Sequence, residues 1–421
     1  MIRLWRGYHS PQLQELVQHA WKREELLVLC PPLIRDFSFM SALPVGAIEL
    51  CGEWGETYAA AQAAIDQRKS YPQNYPQAPV LGVFTSGTAS GAPRLALYSK
   101  KNIESSLESI LEFFDHTKID SVFCYPQAFH TFGLTLGYVL SLTKNLDFYS
   151  GEGRYNCTFH EQWLEVKSSR LLTLGTPTHF QDLLKHVAQK SVTPRVTYSC
   201  IIGGAPVTTS LWRDIRDKLR IEAPSIGYGC TEASPGIAHN APGLQPTVDG
   251  EIGRFVKGLN VEILPGVGLE FSGDSLCMAM IQNGEIEFPK RVCINDDVSR
   301  RDDGTLVFHG RTDLTLNRGG QKLSLEQVER ELTNKLGRDF VCVAIPHKRL
   351  GQDLGILLKA TADDFDPASL DEVLRESFGV AFNKNHCAEV DGFPLNEAAK
   401  VCRKSGAELI LNQLLRQEGC I

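Results

Sequence analysis

The first 34 residues, MIRLWRGYHSPQLQELVQHAWKREELLVLCPPLI, lack a long apolar run: charges and prolines are scattered through them, and the one apolar piece is Leu26 to Cys30. The segment therefore reads as neither a secretion signal nor a membrane span. An excess of positive charge is missing too. A net charge of -7 gives no overall pull toward nucleic acid or an anionic membrane, which disfavours both as partners. Twelve cysteines run from Cys30 to Cys420, yet there is no CxxC pair and no Cys/His cluster at metal spacing, so a structural zinc site is not expected. In a chain without a secretion signal the thiols are expected to stay reduced, and the cysteines read as small apolar fillers of a cytoplasmic protein. What is present is apolar residues enough for a sizeable core: 421 residues, 43% of them hydrophobic, imply two or more domains.

The stretch Val80 to Tyr98, VLGVFTSGTASGAPRLALY, organises the chain. Its apolar run stops at Thr85 and gives way to Thr, Ser, Gly and Ala. Gly87 and Gly91 permit the tight conformations in which several N–H groups converge. Thr85, Ser86, Thr88 and Ser90 add hydroxyls, and Arg94 adds a forked cation suited to phosphate oxygens. Taken alone, such a loop reads as an ordinary surface loop, so its meaning depends on the rest of the chain.

Before it, Pro11 to Trp21 has helical periodicity with a cap-like Ser10, and Leu26 to Cys30 is strand-like. After it, Lys101 to His116 reads as an amphipathic helix and Val122 to Tyr125 as a short strand. The strand leads into YPQAFHTFGLTLGYVL, where His130 sits between aromatics on a loop that enters a helix at Gly133. Strand-like LLTLGTPTHF (Leu171 to Phe180) and VTYSCIIGGAPV (Val196 to Val207) alternate with helices Phe180 to Ala188 and Thr209 to Leu219. Repeated strand, Gly/Pro turn and helix argue for a mostly parallel sheet covered by helices, with ligands at the C-terminal ends of its strands. The Gly203-Gly204-Ala205-Pro206 turn falls at such an end. So does YGCTE, expected as a short strand followed by Tyr228 and then by Thr231 and Glu232 on a turn. A ring, a hydroxyl and a carboxylate within five residues suit a base, a phosphate and a hard cation, although each residue is common in ordinary turns. Cys230 lies inside this motif.

From Gly250 to Asp297 the pattern changes to short strands with frequent glycine, read as a small barrel. Asp302 to Gly304 marks a hairpin, Arg311 and Asp313 follow it, and Ser324 opens a helix. FVCVAIP, ILLKA, a helix Ser369 to Phe378 and a C-terminal helix complete a small α+β unit. The expected division is a large domain, 1–312, with its β-rich part at about 250–312, and a small domain, 313–421.

Seven ordered segments then decide the matter: TSGTASGAPR, PQAFHTFG, GTPTHF, GGAP, YGCTE, NDDV with GR.D, and GGQKLSLEQVE followed by PLNEAAK. Together they resemble the adenylate-forming superfamily of acyl- and aryl-CoA synthetases, peptide-synthetase adenylation domains and luciferases. RGGQKLSLEQVERELT and the compact length look most like o-succinylbenzoate–CoA ligases and small aryl-CoA ligases.

This resemblance implies an α/β fold with a small mobile C-terminal domain, and an AMP-forming ligase that uses ATP, Mg2+ and CoA. The Thr85 to Arg94 loop, with Ser86, Gly87, Thr88 and Gly91, looks like the family's phosphate loop. Gly203, Gly204 and Ala205 correspond to the wall beside adenine. Tyr228 looks like the stacking aromatic followed by Gly229, Thr231 the phosphate-binding hydroxyl and Glu232 the magnesium ligand. Asp297 matches the acid on the ribose hydroxyls and Arg311 the ribose and phosphate contact. His130 matches the residue near the substrate carboxylate, Lys400 the mobile lysine, Asp313 the hinge and Gly320 the thiol-step turn.

The sequence departs from the family pattern in four places. The phosphate loop is one residue longer, Arg94 stands where Lys is usual, Ala399 replaces a Gly, and Asn295-Asp296 replace Thr-Gly. The region before the loop is shorter than usual, so part of the N-terminal subdomain is expected to be absent. The expected partner is a small carboxylic acid with CoA as acceptor, and a homodimer is left open. Loading of a carrier-protein thiol and a non-catalytic binding protein of the same fold are the alternatives.

Overall fold

The computed structural model describes residues 1–32, 34–68, 74–85, 94–319, 321–360, 365–395 and 401–417. The chain forms two compact units. One comprises Met1–Ile263, Glu270–Cys293 and Ser299–Phe308; the other comprises Leu264–Leu269, Ile294–Val298 and His309–Ile421. The main cut thus falls between Phe308 and His309, and two short upstream pieces, the turn around 265–267 and the segment Ile294–Val298, group with the second unit.

The first unit is built on two large mixed sheets. In the first, Ile48–Gly52, Ile2–Arg6, Leu26–Cys30 and Pro79–Thr85 lie side by side and parallel. Leu26–Cys30 is LLVLC, buried at every position, as a strand covered on both faces must be. Antiparallel strands Arg94–Ser99, Ala279–Gln282 and Glu285–Glu287 then extend the edge. The helix Pro11–Arg23 covers this sheet. The Ser10 side chain accepts from Leu13 N–H at its start, and Leu13, Val17, Ala20 and Trp21 make its buried face.

The second sheet has a parallel centre of Asp147–Ser150, Ser121–Cys124, Leu171–Gly175, Thr197–Gly203 and Ile221–Gly229. Gly236–His239 and Glu251–Phe255 continue it antiparallel. Its helices bury Phe159, Trp163, Phe180, Leu183, Trp212 and Ile215. The helix expected from Phe180 begins earlier, at Pro177. Thr176 and His179 form a reciprocal capping box there, and proline suits the first helical position. The helix expected over 101–116 ends at Leu111, because the Asp115 side chain takes the Thr117 N–H and opens a separate turn, His116–Lys118.

Tyr228, expected beyond its strand, lies within the strand Ile221–Gly229. The strands read as a small barrel are shared among several sheets. Ala279–Gln282 and Glu285–Glu287 join the first, Glu251–Phe255 joins the second, and Leu259–Leu264, Gly268–Gly273 and Val292–Ile294 make a three-stranded sheet. The cause is the open apolar edge of Arg94–Ser99, whose Leu95, Ala96 and Leu97 pair with Ile281, Met280 and Ala279.

In the second unit, Gln321–Ser324, Thr315–Arg318, Gly351–Lys359 and Phe340–His347 form a sheet that Cys387–Val390 joins. Strand alternation divides its core. Phe340, Cys342, Ile356 and Leu358 pack with the helices Leu325–Leu336 and Ala368–Phe378, while Val341, Val343 and Leu357 pack with Ile410 of Arg403–Gln417. Among the described residues six cysteines are buried as expected of fillers, but Cys157 and Cys293 are exposed. Among the described residues no helix is long and apolar enough to cross a membrane.

Candidate active site

The strands Pro79–Thr85 and Arg94–Ser99 pair antiparallel with Thr85 directly opposite Arg94. These two residues therefore form the mouth of the segment that carries Ser86, Gly87, Thr88 and Gly91, which lie outside the described residues. Thr85 is buried, and its hydroxyl has no hydrogen-bond partner among the described residues. A buried unpaired hydroxyl costs about 1–3 kcal/mol, which a ligand oxygen at the mouth would offset.

Arg94 and Tyr98 stand four residues apart on one face of their strand, and both reach the turn Thr231–Ala233. Arg94 Nη2 lies 3.1 Å from Glu232 Oε1, while the Tyr98 hydroxyl donates to the Thr231 carbonyl at 2.7 Å. Cys277 N–H donates to the Glu232 carbonyl at 2.8 Å. Glu232 is 7% exposed, and no hydrogen bond to its Oε2 is recorded among the described residues. Burial holds the Tyr98 phenol well above its usual range, so it serves as a neutral donor. Neither Tyr98 nor Cys277 was singled out in the sequence, where Cys277 counted among the small apolar fillers.

Next to this turn, Gly203 and Gly227 are partners at the C-terminal ends of two parallel strands. A Cβ on Gly203 would lie 2.9 Å from the Gly227 carbonyl oxygen and 3.4 Å from the Phe132 ring, so the two strands and the start of the helical segment Phe132–Val139 meet here with no room for a side chain. Gly204, at φ +84, and Ala205 are exposed just beyond it. Tyr228 is half-buried, its ring 5.9 Å from that of Phe308 and tilted by 40°. At Gly229 a Cβ would fall 1.7 Å from the Pro235 carbonyl oxygen, which only glycine avoids.

His130 is half-buried on the turn before the helical segment Phe132–Val139, with its ring edge-on to Phe129 at 4.7 Å. Its neighbour His179 is pushed down to about 3 by burial, with the charges of His160, His9 and His130 adding to the effect, so its ring is neutral at physiological pH.

The strand Asp296–Arg300, whose first three residues belong to the second unit, places successive side chains on opposite faces. Asp296 is buried and lies 3.6 Å from Arg311 Nη1, whereas Asp297 is exposed. Arg311 grips Asp313 with two bonds, Nε to Oδ1 at 2.7 Å and Nη2 to Oδ2 at 2.8 Å, and its backbone N–H donates to Glu326 at 2.7 Å. The Asp313 bonds raise the Arg311 pKa, and burial raises that of Glu326. The sequence-assigned Arg311 and Asp313 are therefore direct partners. Asp296, not singled out in the sequence beside Asp297, is a second acid near Arg311. Gly320 and Lys400 lie outside the described residues.

The family described as AMP-binding enzyme matches residues 38–270, more than half of the chain. The chain belongs to the AMP-binding enzyme family. Among curated members it is similar to the acyl-CoA ligase SID4 of Ajellomyces capsulatus, 27% identical over 303 residues, 65% of this chain and 50% of that protein. A shorter segment of 146 residues, 34% of this chain and 14% of the relative, is 31% identical to the non-ribosomal peptide synthetase CmlP of Streptomyces venezuelae. The chain spans about half the length of SID4. Its fold is that of the o-succinylbenzoate CoA synthetase MenE from Bacillus subtilis, solved in complex with the acyl-adenylate intermediate OSB-AMP: TM-score 0.74 and 15% identity, covering 96% of this chain and 87% of that one. The mixed α/β architecture and membership of the adenylate-forming superfamily agree with the order of the sequence motifs.

Proposed function

We propose that the chain is an AMP-forming acid–thiol ligase, which converts a carboxylic acid and Mg-ATP to an acyl-adenylate and pyrophosphate and then transfers the acyl group to CoA. The observation that carries this proposal is the clasp of Arg94 on Glu232 at the mouth formed by Thr85 and Arg94, beside Tyr228 at the ends of parallel strands.

Chemically, the parts divide the work. The Tyr228 face takes adenine between the Gly203–Ala205 turn and its own strand. The segment from Thr85 to Arg94, including Ser86, Gly87, Thr88 and Gly91, holds the β- and γ-phosphates with N–H groups, hydroxyls and the guanidinium. The donor set fits magnesium: Glu232 offers a hard carboxylate oxygen, with the Thr231 hydroxyl on the preceding residue, and such ions keep waters and phosphate oxygens as their other ligands. Bound magnesium supplies charge neutralisation at the phosphates. Asp297 and Arg311 serve the ribose. Lys400 bridges the acid carboxylate and the α-phosphate, offsetting repulsion between two anions, so that catalysis is positioning and charge stabilisation without a protein nucleophile. His130 stands at the acid. For the thiol step Asp313 acts as the pivot of the second unit, with Gly320 on the thiol path.

The test is ATP–pyrophosphate exchange over a panel of aryl and alkyl acids, followed by addition of CoA. Exchange with at least one acid and a CoA thioester product are expected; no exchange with any acid, despite ATP binding, overturns the proposal. The similarity to CmlP favours a second acceptor, a carrier-protein thiol. Acyl transfer to a holo carrier protein and not to CoA is the result that selects it.

A further inference from the structure

One buried carboxamide ties down the turn that carries His130. Gln127 is 8% exposed, its Oε1 accepts from the His9 backbone N–H at 3.0 Å, and its Nε2 donates to the Gly153 carbonyl at 3.3 Å. The three residues follow three different strands: Ile2–Arg6 of the first sheet, and Ser121–Cys124 and Asp147–Ser150 of the second. His9 and Gly153 are bridged to each other as well, Gly153 N–H donating to the His9 carbonyl at 3.0 Å.

The backbone of Gln127 does the rest. Its carbonyl accepts the His130 N–H at 3.1 Å. A Cβ on Gly133 would lie 2.5 Å from that carbonyl oxygen and 2.2 Å from that of Pro126, so the first turn of Phe132–Val139 rests directly on it. At the other end of that helical segment, His9 Nδ1 lies 2.8 Å from the Tyr138 hydroxyl. Burial lowers the His9 pKa to about 4, leaving a neutral ring that hydrogen-bonds without bringing charge near the site.

A carboxamide has a donor and an acceptor in one plane. Here both are used on the backbones of two other segments, which fixes the side chain and, through it, the turn. Neither bond involves a titrating group. A buried polar side chain with both ends satisfied specifies one arrangement where an apolar residue of the same size would accept several.

We propose that Gln127 is the positioning residue of the acid site: it sets the place and orientation of His130 by locking that turn to loops of both sheets. The proposal rests on the ligase assignment only for the role of His130 at the acid; the hold on His130 itself is tested separately.

Two variants serve. Gln127→Met is close in size and makes neither bond, while Gln127→Glu keeps the acceptor for His9 N–H and loses the donor to Gly153. In protein labelled with carbon-13 at the histidine ring Cε1, the His130 resonance is assigned by its loss in His130→Gln, and His239 serves as a remote buried reference. Gln127→Met is expected to shift or broaden the His130 resonance and leave His239 unchanged, with a smaller displacement in Gln127→Glu. In exchange assays with benzoate, hexanoate and acetate, Gln127→Met should raise KM for the acid about tenfold and change KM for ATP less than about twofold.

An unmoved His130 resonance in both variants overturns the proposal whatever the kinetics. A moved resonance with KM for ATP and acid rising together also overturns it, since that is loosening of the whole unit. Wild-type protein that exchanges with no acid refutes the ligase assignment, and the resonance then decides the hold on His130 alone. If Gln127→Met does not fold, as circular dichroism would show, Gln127→Glu carries both measurements.

Discussion

Arg94 Nη2 and Glu232 Oε1 lie 3.1 Å apart, with the arginine side chain 43% exposed and the glutamate side chain nearly buried. The pair is lopsided: one partner is free to turn toward a ligand and the other is fixed in the wall. An exposed guanidinium contributes about 0–1 kcal/mol to folding through such a pair, yet a charged hydrogen bond to a bound phosphate is worth about 1.5–3 kcal/mol. Arg94→Met should therefore slow ATP–pyrophosphate exchange on the order of tenfold to a hundredfold while the thermal midpoint stays nearly constant. A lowered midpoint with normal exchange would assign Arg94 to the scaffold alone.

Lys400 follows from the sequence pattern. Lys400→Ala should suppress adenylation by at least about a hundredfold, the order expected for loss of a transition-state charge partner, and spare thioester formation from preformed acyl-adenylate. The two half-reactions are measured separately by exchange and by CoA acylation. Equal loss in both would remove the lysine from its assigned step.

Within the second unit, Arg403 pairs with Glu329, and each side chain is 18% exposed. Glu329 also accepts from Cys342 N–H at 2.6 Å, and Arg403 donates to the Cys342 carbonyl at 2.8 Å. Burial raises the Glu329 pKa, and the adjacent guanidinium opposes that rise. Arg403→Leu strands a buried carboxylate and should cost about 3 kcal/mol in urea unfolding, whereas Arg403→Leu with Glu329→Leu should recover a large part of it. Near-equal stability of single and double variants would show that the charge is not what matters.

Acid sensitivity has a definite sign. Burial lowers His9 and His239 to about 4 and His179 to about 3. The unfolded chain, with its histidines near 6.5, then binds more protons than the folded one below that pH, so stability is full above about 6.5 and falls as pH drops toward 4. Each histidine should account for about 1.5 kcal/mol between pH 6.5 and 5. Urea titrations of the first unit's transition at the two pH values check this, and His239→Gln should reduce the slope by one proton. An unchanged slope in that variant would place the sensitivity elsewhere.

How much of this was legible depended on whether the signal was local. Ser10, Leu26–Cys30 and the Thr231–Glu232 turn carry their own cues in caps, apolar runs and turn residues, and they stand where the sequence put them. The Thr176–His179 capping box was written in TPTH but overlooked, because the apolar periodicity starts at Phe180. That Asp296 lies beside Arg311 could not be read from two adjacent acids, since only strand register says which side each one faces. Gln127 and His9 are separated by 118 positions, and nothing in either neighbourhood announces the other. Tyr98 was hidden for the opposite reason: an aromatic in an apolar strand gives no sign that its hydroxyl leaves the core to hold the Thr231 carbonyl.

The ladder pairing of Thr85 with Arg94 also bears on how this family can vary. With both ends fixed as facing rungs, lengthening the eight-residue connection between them is a problem of ring closure, and going from seven to eight links costs only about 0.1 kcal/mol of chain entropy. If this segment is the phosphate loop of the proposed ligase, its extra residue is a small demand on chain closure. A change of length between these two rungs therefore leaves the pairing of the strands that carry them in register.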